Sequence, residues 1–361
     1  MNTERWQGVY PAVTTKFKPD FSLDLDAMAE HTEFQLNAGV HGLIILGSLG
    51  ENSTLDMDEK LQLTEFFVKQ VNGRVPLLAC IAESDTRQAC QYARRAEAMG
   101  IDGFMLLPPM RYPSDRRETM SYLEEVAAAT QLPIMLYNNP VAYGTDLLPA
   151  DFETLASNPK FTAIKESSAN TRRVPEIRRR TGDRYAIFCG VDDLAFECIS
   201  LGAVGWVAGL VVAFPRETVR IYELMSEGKW AEAREIYEWF LPLLSLDIGP
   251  KFVQQIKLVE EWMGVGSSTV RSPRLALFNL NPNSKIPGRL YLWQKEAGSN
   301  TTITGDVASF IPHPTKSQKA GADSDYWLGA IVGDVTIGEF FRLSSGTYPD
   351  NGLSAEVYTS A

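Results

Sequence analysis

The chain of 361 residues holds only three histidines and four cysteines, and that scarcity removes several chemistries at once. His31, His41 and His313 are too few for a histidine-rich metal centre or a common Ser-His-Asp hydrolase, so no metal is expected. Cys80, Cys90, Cys189 and Cys198 form no Cys-x-x-Cys pair, and Cys80 and Cys189 lie in apolar runs. Buried free thiols in a reducing compartment are expected, not a disulfide frame or a zinc site. No Gly-x-Gly-x-x-Gly follows the first apolar run and no P-loop signature occurs, which weakens a nucleotide-binding reading. A run of about 18 apolar residues is also missing, and the opening MNTERWQGVYPAV is polar. No membrane span and no signal peptide are expected, and the cytoplasm is the expected compartment. Positive charge is short as well: 34 Lys and Arg stand against 45 Asp and Glu, a net −11. Nucleic acid and anionic membranes, which need a dense basic face, are therefore not expected as partners. A few cations inside a pocket could still hold a small anionic substrate.

What is present is a regular alternation. With 45% hydrophobic residues the chain can bury a sizeable core. Short runs rich in Val, Ile and Leu read as buried parallel strands. They are GVYPAVTT (8–15), GLIILG (42–47), PLLACIA (76–82), GFMLLPP (103–109), PIMLYNNP (133–140), FTAIKESS (161–168), YAIFCG (185–190) and AVGWVAG (203–209). Between them lie segments with helical spacing and charged outer faces, such as DMDEKLQLTEFFVKQV (56–71) and DTRQACQYARRAEAMG (85–100). Eight β/α repeats predict an α/β fold closed into a (β/α)8 TIM barrel. The stretch 214–228 closes the last repeat, and 229–246 and 249–264 predict an extra C-terminal helix pair broken at Asp247–Pro250. That pair must bury its aliphatic faces on the barrel flank or a partner subunit. A barrel unit of residues 1–277 is thus expected, followed by an atypical tail, 278–361, rich in Gly, Ser, Thr, Asn and Pro. Alternation in VTIGEFFRL hints at a strand or two, so a small β-rich appendage or a partly disordered extension are both open.

Working groups in such a barrel sit at the C-terminal strand ends. Strand two ends in GSLGE, where Gly47, Ser48, Leu49 and Gly50 form a turn whose amides and hydroxyl could hold a carboxylate. An ordinary tight βα turn has the same look. Strand five ends in YNNP, bringing Tyr137 and Asn139 to the mouth; a phenol there shuttles a proton or simply packs. Strand six carries Lys165 straight after a β-branched run. Such a lysine usually snorkels to water, but kept dry its charged form is disfavoured and its lone pair is freed for attack. Glu166 points to the opposite face and need not neutralise it. Gly190, at the end of strand seven, leaves room for a substrate carboxylate, and Asp192 and Asp193 read as caps of the next helix.

Together, GSLGE, YNNP and the strand-six lysine, in order on strands two, five and six, make residues 6–277 resemble the dihydrodipicolinate synthase/N-acetylneuraminate lyase superfamily. The resemblance implies that Lys165 forms a Schiff base, that Tyr137 relays protons and that the GSLGE turn binds the carboxylate of a 2-oxo acid. It implies no organic cofactor, and a homo-oligomer, dimer or tetramer. Three departures bear on the substrate. Ser48-Leu49 replaces the Thr-Thr of the synthase branch, Met110 aligns with the tyrosine donated across its dimer interface, and Ala142 replaces its carboxylate-binding arginine. A missing hydroxyl relay and a missing arginine clamp argue against dihydrodipicolinate synthesis, although Arg111 and Tyr112 could supply substitute contacts. LPPMRY, YNNPVAYG, KESS and GWVAGLV look most like the 1-pyrroline-4-hydroxy-2-carboxylate deaminase branch, which yields 2-oxoglutarate semialdehyde and ammonia in hydroxyproline degradation. Leu49, Met110, Ala142 and Trp206 would give the mostly apolar pocket that a small cyclic imine fits. The alternatives are a 2-keto-3-deoxy sugar acid aldolase or dehydratase, a dihydrodipicolinate synthase-like enzyme, or a catalytically silent barrel with a binding tail.

Overall fold

The computed structural model describes residues 6–109 and 112–277, together with the backbone of three later strands at 289–295, 325–331 and 338–344. The chain divides into two units, Met1–Ala276 and Leu277–Ala361. In the first, eight parallel strands alternate with helices. The strands are β1 (Gly8–Pro11), β2 (Leu43–Ile45), β3 (Leu77–Ile81), β4 (Gly103–Leu106), β5 (Ile134–Asn138), β6 (Phe161–Glu166), β7 (Ala186–Cys189) and β8 (Gly205–Ala208). The pairing order β1-β8-β7-β6-β5-β4-β3-β2 leaves β1 and β2 as the two ends, joined by a single parallel bridge between Ala12 and Ile44. This is the expected (β/α)8 barrel. The β1 ladder is shorter than its apolar run: the Val13 amide still donates to the Ile44 carbonyl at 2.9 Å, and Thr14 and Thr15 continue buried beyond the strand.

The helices are α1 (Leu25–Asn37), α2 (Met57–Val71), α3 (Thr86–Met99), α4 (Arg116–Ala128), α5 (Pro140–Tyr143), α6 (Pro149–Leu155), α7 (Arg173–Thr181), α8 (Ala195–Ser200), α9 (Pro215–Ser226), α10 (Trp230–Leu244) and α11 (Phe252–Trp262). Local chemistry sets their starts. Asp56 and Glu59 form a reciprocal capping box at α2, and Asp115 and Glu118 form another at α4. Both satisfy amides that the first helical turn leaves without partners. Strands are apolar on both faces because the outer face meets these helices and the inner face meets other strands. Inside, the barrel is packed and not a pore: Tyr10 and Phe188 meet edge to face, ring centroids 5.2 Å apart. Gly42 and Gly205 make room for these two rings, since a methyl group at either would overlap them.

The extra pair is present as α10 and α11. Val253, Ile256 and Val259 of α11 are buried within this unit, together with the charged Lys257 and Glu260. In the second unit, β9 (Arg289–Lys295), β10 (Asp325–Ile331) and β11 (Gly338–Ser344) form an antiparallel sheet in the order β11-β10-β9.

Candidate active site

Lys165 sits one residue before the end of β6, directly across from Tyr137 in the β5–β6 register. It is 7% exposed. Its Nζ lies over the Tyr137 ring, 4.2 Å from the centroid, and no ion pair found among the described residues claims it. Glu166 does point away: its carboxylate accepts from Asn138 Nδ2 (3.2 Å) and the Ser168 amide (2.7 Å). Gly190 follows β7 beside the lysine. A Cβ there would lie 2.6 Å from Lys165 Cε and would also strike Ser167 Oγ. The absence of a side chain at Gly190 thus makes room for the lysine's own aliphatic chain.

Tyr137 is 5% exposed, and burial pushes its phenol up to about 12. Asn139 Nδ2 donates to the Tyr137 oxygen at 3.1 Å, which favours the anion and opposes the burial effect. The other end of the same amide is also engaged: Asn139 Oδ1 accepts from the Ala142 amide at 3.0 Å and caps α5. That short helix carries Tyr143, which sequence reasoning passed over. Its ring meets Tyr137 edge to face at 5.9 Å, and its hydroxyl is hydrogen-bonded to Ser48 Oγ. A hydroxyl partner for the strand-two serine is thus supplied from within the chain. The signal was the second tyrosine of YNNPVAYG, invisible until α5 turns it back towards the barrel.

The GSLGE turn is held from several sides. Thr15 Oγ1 donates to the Gly50 carbonyl at 2.6 Å, and the Asn52 amide donates to the Gly47 carbonyl at 3.2 Å. A side chain at Gly50 would meet the Val13 carbonyl oxygen at 2.9 Å, so only glycine fits between turn and β1. Ser48 is half-buried and Leu49 is 3% exposed. Glu51, also unanticipated, is fully buried and accepts from Lys257 Nζ of α11 at 2.7 Å and from the Arg271 amide at 3.0 Å.

Two other expectations are corrected. Trp206 shares its strand face with Cys189 and Glu166, the face away from Lys165; it is fully buried and donates its indole N–H to Asp192 at 2.9 Å. It does not line the mouth. Asp192 is no helix cap: besides Trp206 it accepts from the amides of Gly209 (3.1 Å) and Leu210 (2.8 Å), bracing the end of β8. Met110 and Arg111 lie outside the described residues, Tyr112 is 55% exposed, and Ala142 is exposed. Asp247, between α10 and α11, was not anticipated at the mouth. A side chain at Gly209 would collide with its carboxylate. Burial and the Asp192 carboxylate hold Asp247 well above the usual carboxylate range, with Lys165 pulling the other way. No cluster of three or more potential metal ligands occurs among the described residues, and no described helix is long and apolar enough to cross a membrane.

A dry primary amine, a phenol beside it and a hydroxyl pair on a carboxylate-sized turn form a set suited to imine chemistry. The profile of the Dihydrodipicolinate synthetase family matches residues 5–283. Over 285 residues, 78% of this chain and 97% of the relative, the sequence is 30% identical to the 4-hydroxy-tetrahydrodipicolinate synthase of Geotalea daltonii. The enzyme of that name from Geotalea uraniireducens is 31% identical over 280 residues, 76% of this chain and 95% of its own. Among solved structures, YagE of E. coli K12, described as a prophage protein of the dihydrodipicolinic acid synthase family in complex with pyruvate, superposes with a TM-score of 0.72. It is 28% identical, covering 76% of this chain and 94% of YagE.

Proposed function

The chain belongs to the dihydrodipicolinate synthetase family of class I, Schiff-base lyases, and from that premise we propose that Lys165 is the amine that condenses with substrate. The observation that carries this is the burial of Lys165 at a strand end, over a phenol and free of any ion pair among the described residues. In this reading Tyr137 moves protons, and Ser48 with the amides of its turn holds the carboxylate of a small 2-oxo acid or cyclic imine. The pyruvate bound to YagE supports a ligand of that size and charge.

For the substrate we propose 1-pyrroline-4-hydroxy-2-carboxylate. The Lys165 nitrogen adds to C2 of the ring imine. The ring nitrogen takes a proton and leaves C2, and the lysine nitrogen's lone pair forms the new iminium. Electrons from a C3–H bond then flow into that iminium and its proton goes to a base, after which the C4 hydroxyl departs as water with an acquired proton. The amine-bearing carbon becomes an imine by proton shifts, and two hydrolyses release ammonia, 2-oxoglutarate semialdehyde and free Lys165. The exposed Ala142, where a guanidinium would clamp a second carboxylate, supports this monocarboxylate over a dicarboxylate product. A second reading, 4-hydroxy-tetrahydrodipicolinate synthesis, is favoured by the names of the Geotalea relatives and by the Ser48–Tyr143 hydroxyl pair.

Borohydride with pyruvate should add mass at Lys165 and nothing in Lys165→Ala; an unmodified wild-type lysine sinks the Schiff-base reading. Three assays then divide the substrates: ammonia from the pyrroline carboxylate, condensation of pyruvate with aspartate semialdehyde, and pyruvate from sugar acids. Ammonia release alone supports the deaminase.

A further inference from the structure

Asn139 uses both ends of one amide inside the protein: Nδ2 meets the Tyr137 oxygen, and Oδ1 meets the amide of Ala142, the residue before Tyr143. Its Oδ1 accepts from the Ala142 amide, which settles which end of the side chain is oxygen, because an amide N–H can be met only by an acceptor. Its Nδ2 therefore faces the Tyr137 oxygen, 3.1 Å away, as donor. The helix that Oδ1 starts is a single turn, Pro140–Tyr143, closed by Gly144 at φ 74° against Pro113. Tyr143, its last residue, reaches Ser48 in the strand-two turn and packs on Tyr137.

We propose that Asn139 is a positioning residue that sets two phenols at once: it tunes Tyr137 as the base at substrate C3 and fixes Tyr143 on Ser48. This rests on the Schiff-base reading of Lys165. In the proton step, the C3–H electrons enter the iminium and leave a neutral enamine. Tyr137 first gives its proton to the group leaving C2, the carbinolamine hydroxyl with pyruvate or the ring nitrogen with the cyclic imine. The phenolate so formed then takes the C3 proton, and the Asn139 donor stabilises that anionic oxygen in between. The other groups that bear on Tyr137 are Lys165 of β6 over its ring, Asp247 between α10 and α11, Cys80 of β3, Ser167 after β6 and Tyr143 of α5. Ser167 gives its one proton to the Gly190 carbonyl at 2.9 Å and the Tyr143 hydroxyl is engaged with Ser48, whereas Asn139 Nδ2 is aimed at the Tyr137 oxygen by the Oδ1 bond to Ala142. The role differs from substrate contact, since both functional ends of the side chain are already taken.

The test uses the full chain with pyruvate as probe. Hydrogen–deuterium exchange at C3 is followed by NMR across pH, and borohydride trapping at Lys165 is measured alongside. Asn139→Asp keeps an excellent helix cap but replaces the donor with an acceptor. It should still trap, should exchange roughly 10- to 100-fold more slowly, and should move the pH limb of exchange upward. Tyr143→Phe should need more pyruvate to reach half-maximal trapping through the freed Ser48, but should trap at saturating pyruvate and leave that limb in place. Asn139→Asp with wild-type exchange rate and an unmoved limb overturns the proposal, as does a loss explained wholly by a lower melting temperature. A wild-type enzyme that neither traps nor exchanges removes the Schiff-base reading itself, a result distinct from the other two.

Discussion

At the scale of single residues, space around the lysine is as decisive as the lysine. The Gly190 position leaves no room for a Cβ beside Lys165 Cε and Ser167 Oγ. Gly190→Ala should therefore fold, at a cost of about 1–3 kcal/mol for overpacking, but displace the amine. Because misplacement by about an ångström can cost on the order of 100-fold, kcat and the borohydride trapping rate should fall together by that order. An unchanged trapping rate would mean the lysine has another resting place. Lys165 and Tyr137 were legible in the sequence because each breaks a rule at a place where breaking it is costly: a cation and a phenol ending buried apolar strands. Trp206 sits at a strand end like the mouth residues, but its strand's alternation turns the indole outward onto Asp192. Tyr143 and Asp247 were not legible. Their place at the mouth depends on one helical turn and on a break between two helices, which residue spacing alone does not orient.

At the scale of elements, the helices beyond the barrel are bolted to the catalytic rim. Lys257 of α11 and Glu51 of the strand-two turn are both fully buried and 2.7 Å apart, and Lys257 also donates to the Thr269 carbonyl at 2.5 Å. The sequence predicted the helix pair from its apolar spacing but not this charge pair, since neither residue departs from the polar pattern of its own segment. Removing one partner strands a charge in the interior. Lys257→Met should lose about 3–5 kcal/mol of unfolding free energy, measured by urea denaturation. The double variant Lys257→Met/Glu51→Gln removes both charges, keeps an acceptor for the Arg271 amide, and should recover most of that loss. The single variant should also raise KM for the carboxylate substrate, because Glu51 anchors the turn that carries Ser48. If the double variant is no more stable than the single, the pair is not acting as a unit.

At the scale of the whole barrel unit, the weakest seam in the sheet is where β1 meets β2 through one bridge, and a buried polar network stands beside it. Lys16 and Thr14 follow β1, His31 lies on α1, Val212 follows β8, and Glu260 comes from α11. Glu260 Oε1 takes Lys16 Nζ at 2.6 Å and the Thr14 hydroxyl at 2.7 Å. Burial pushes Lys16 down to about 8, so it stays charged at neutral pH and the pair with Glu260 is ionic. Burial, with Lys16 nearby, pushes His31 down to about 4 from 6.5. The imidazole is therefore neutral at pH 7: Nε2–H donates to the Val212 carbonyl at 2.7 Å, and Nδ1 accepts from Gln35. Between pH 6.5 and 4 the unfolded chain takes up a proton at His31 that the folded chain refuses, so stability falls as pH drops through that window and the His31 share levels off below it. The share lost is about 3 kcal/mol at one pKa unit per 1.36 kcal/mol. His31→Gln, which keeps a donor for Val212, should flatten urea midpoints measured between pH 7 and 4. An equally steep slope in that variant would move the acid sensitivity to other groups. Because this network ties both ends of the β/α series to α11, its loss should open the barrel at the β1–β2 seam. Amide exchange at Val13 and His41 should then accelerate before exchange in β5 and β6.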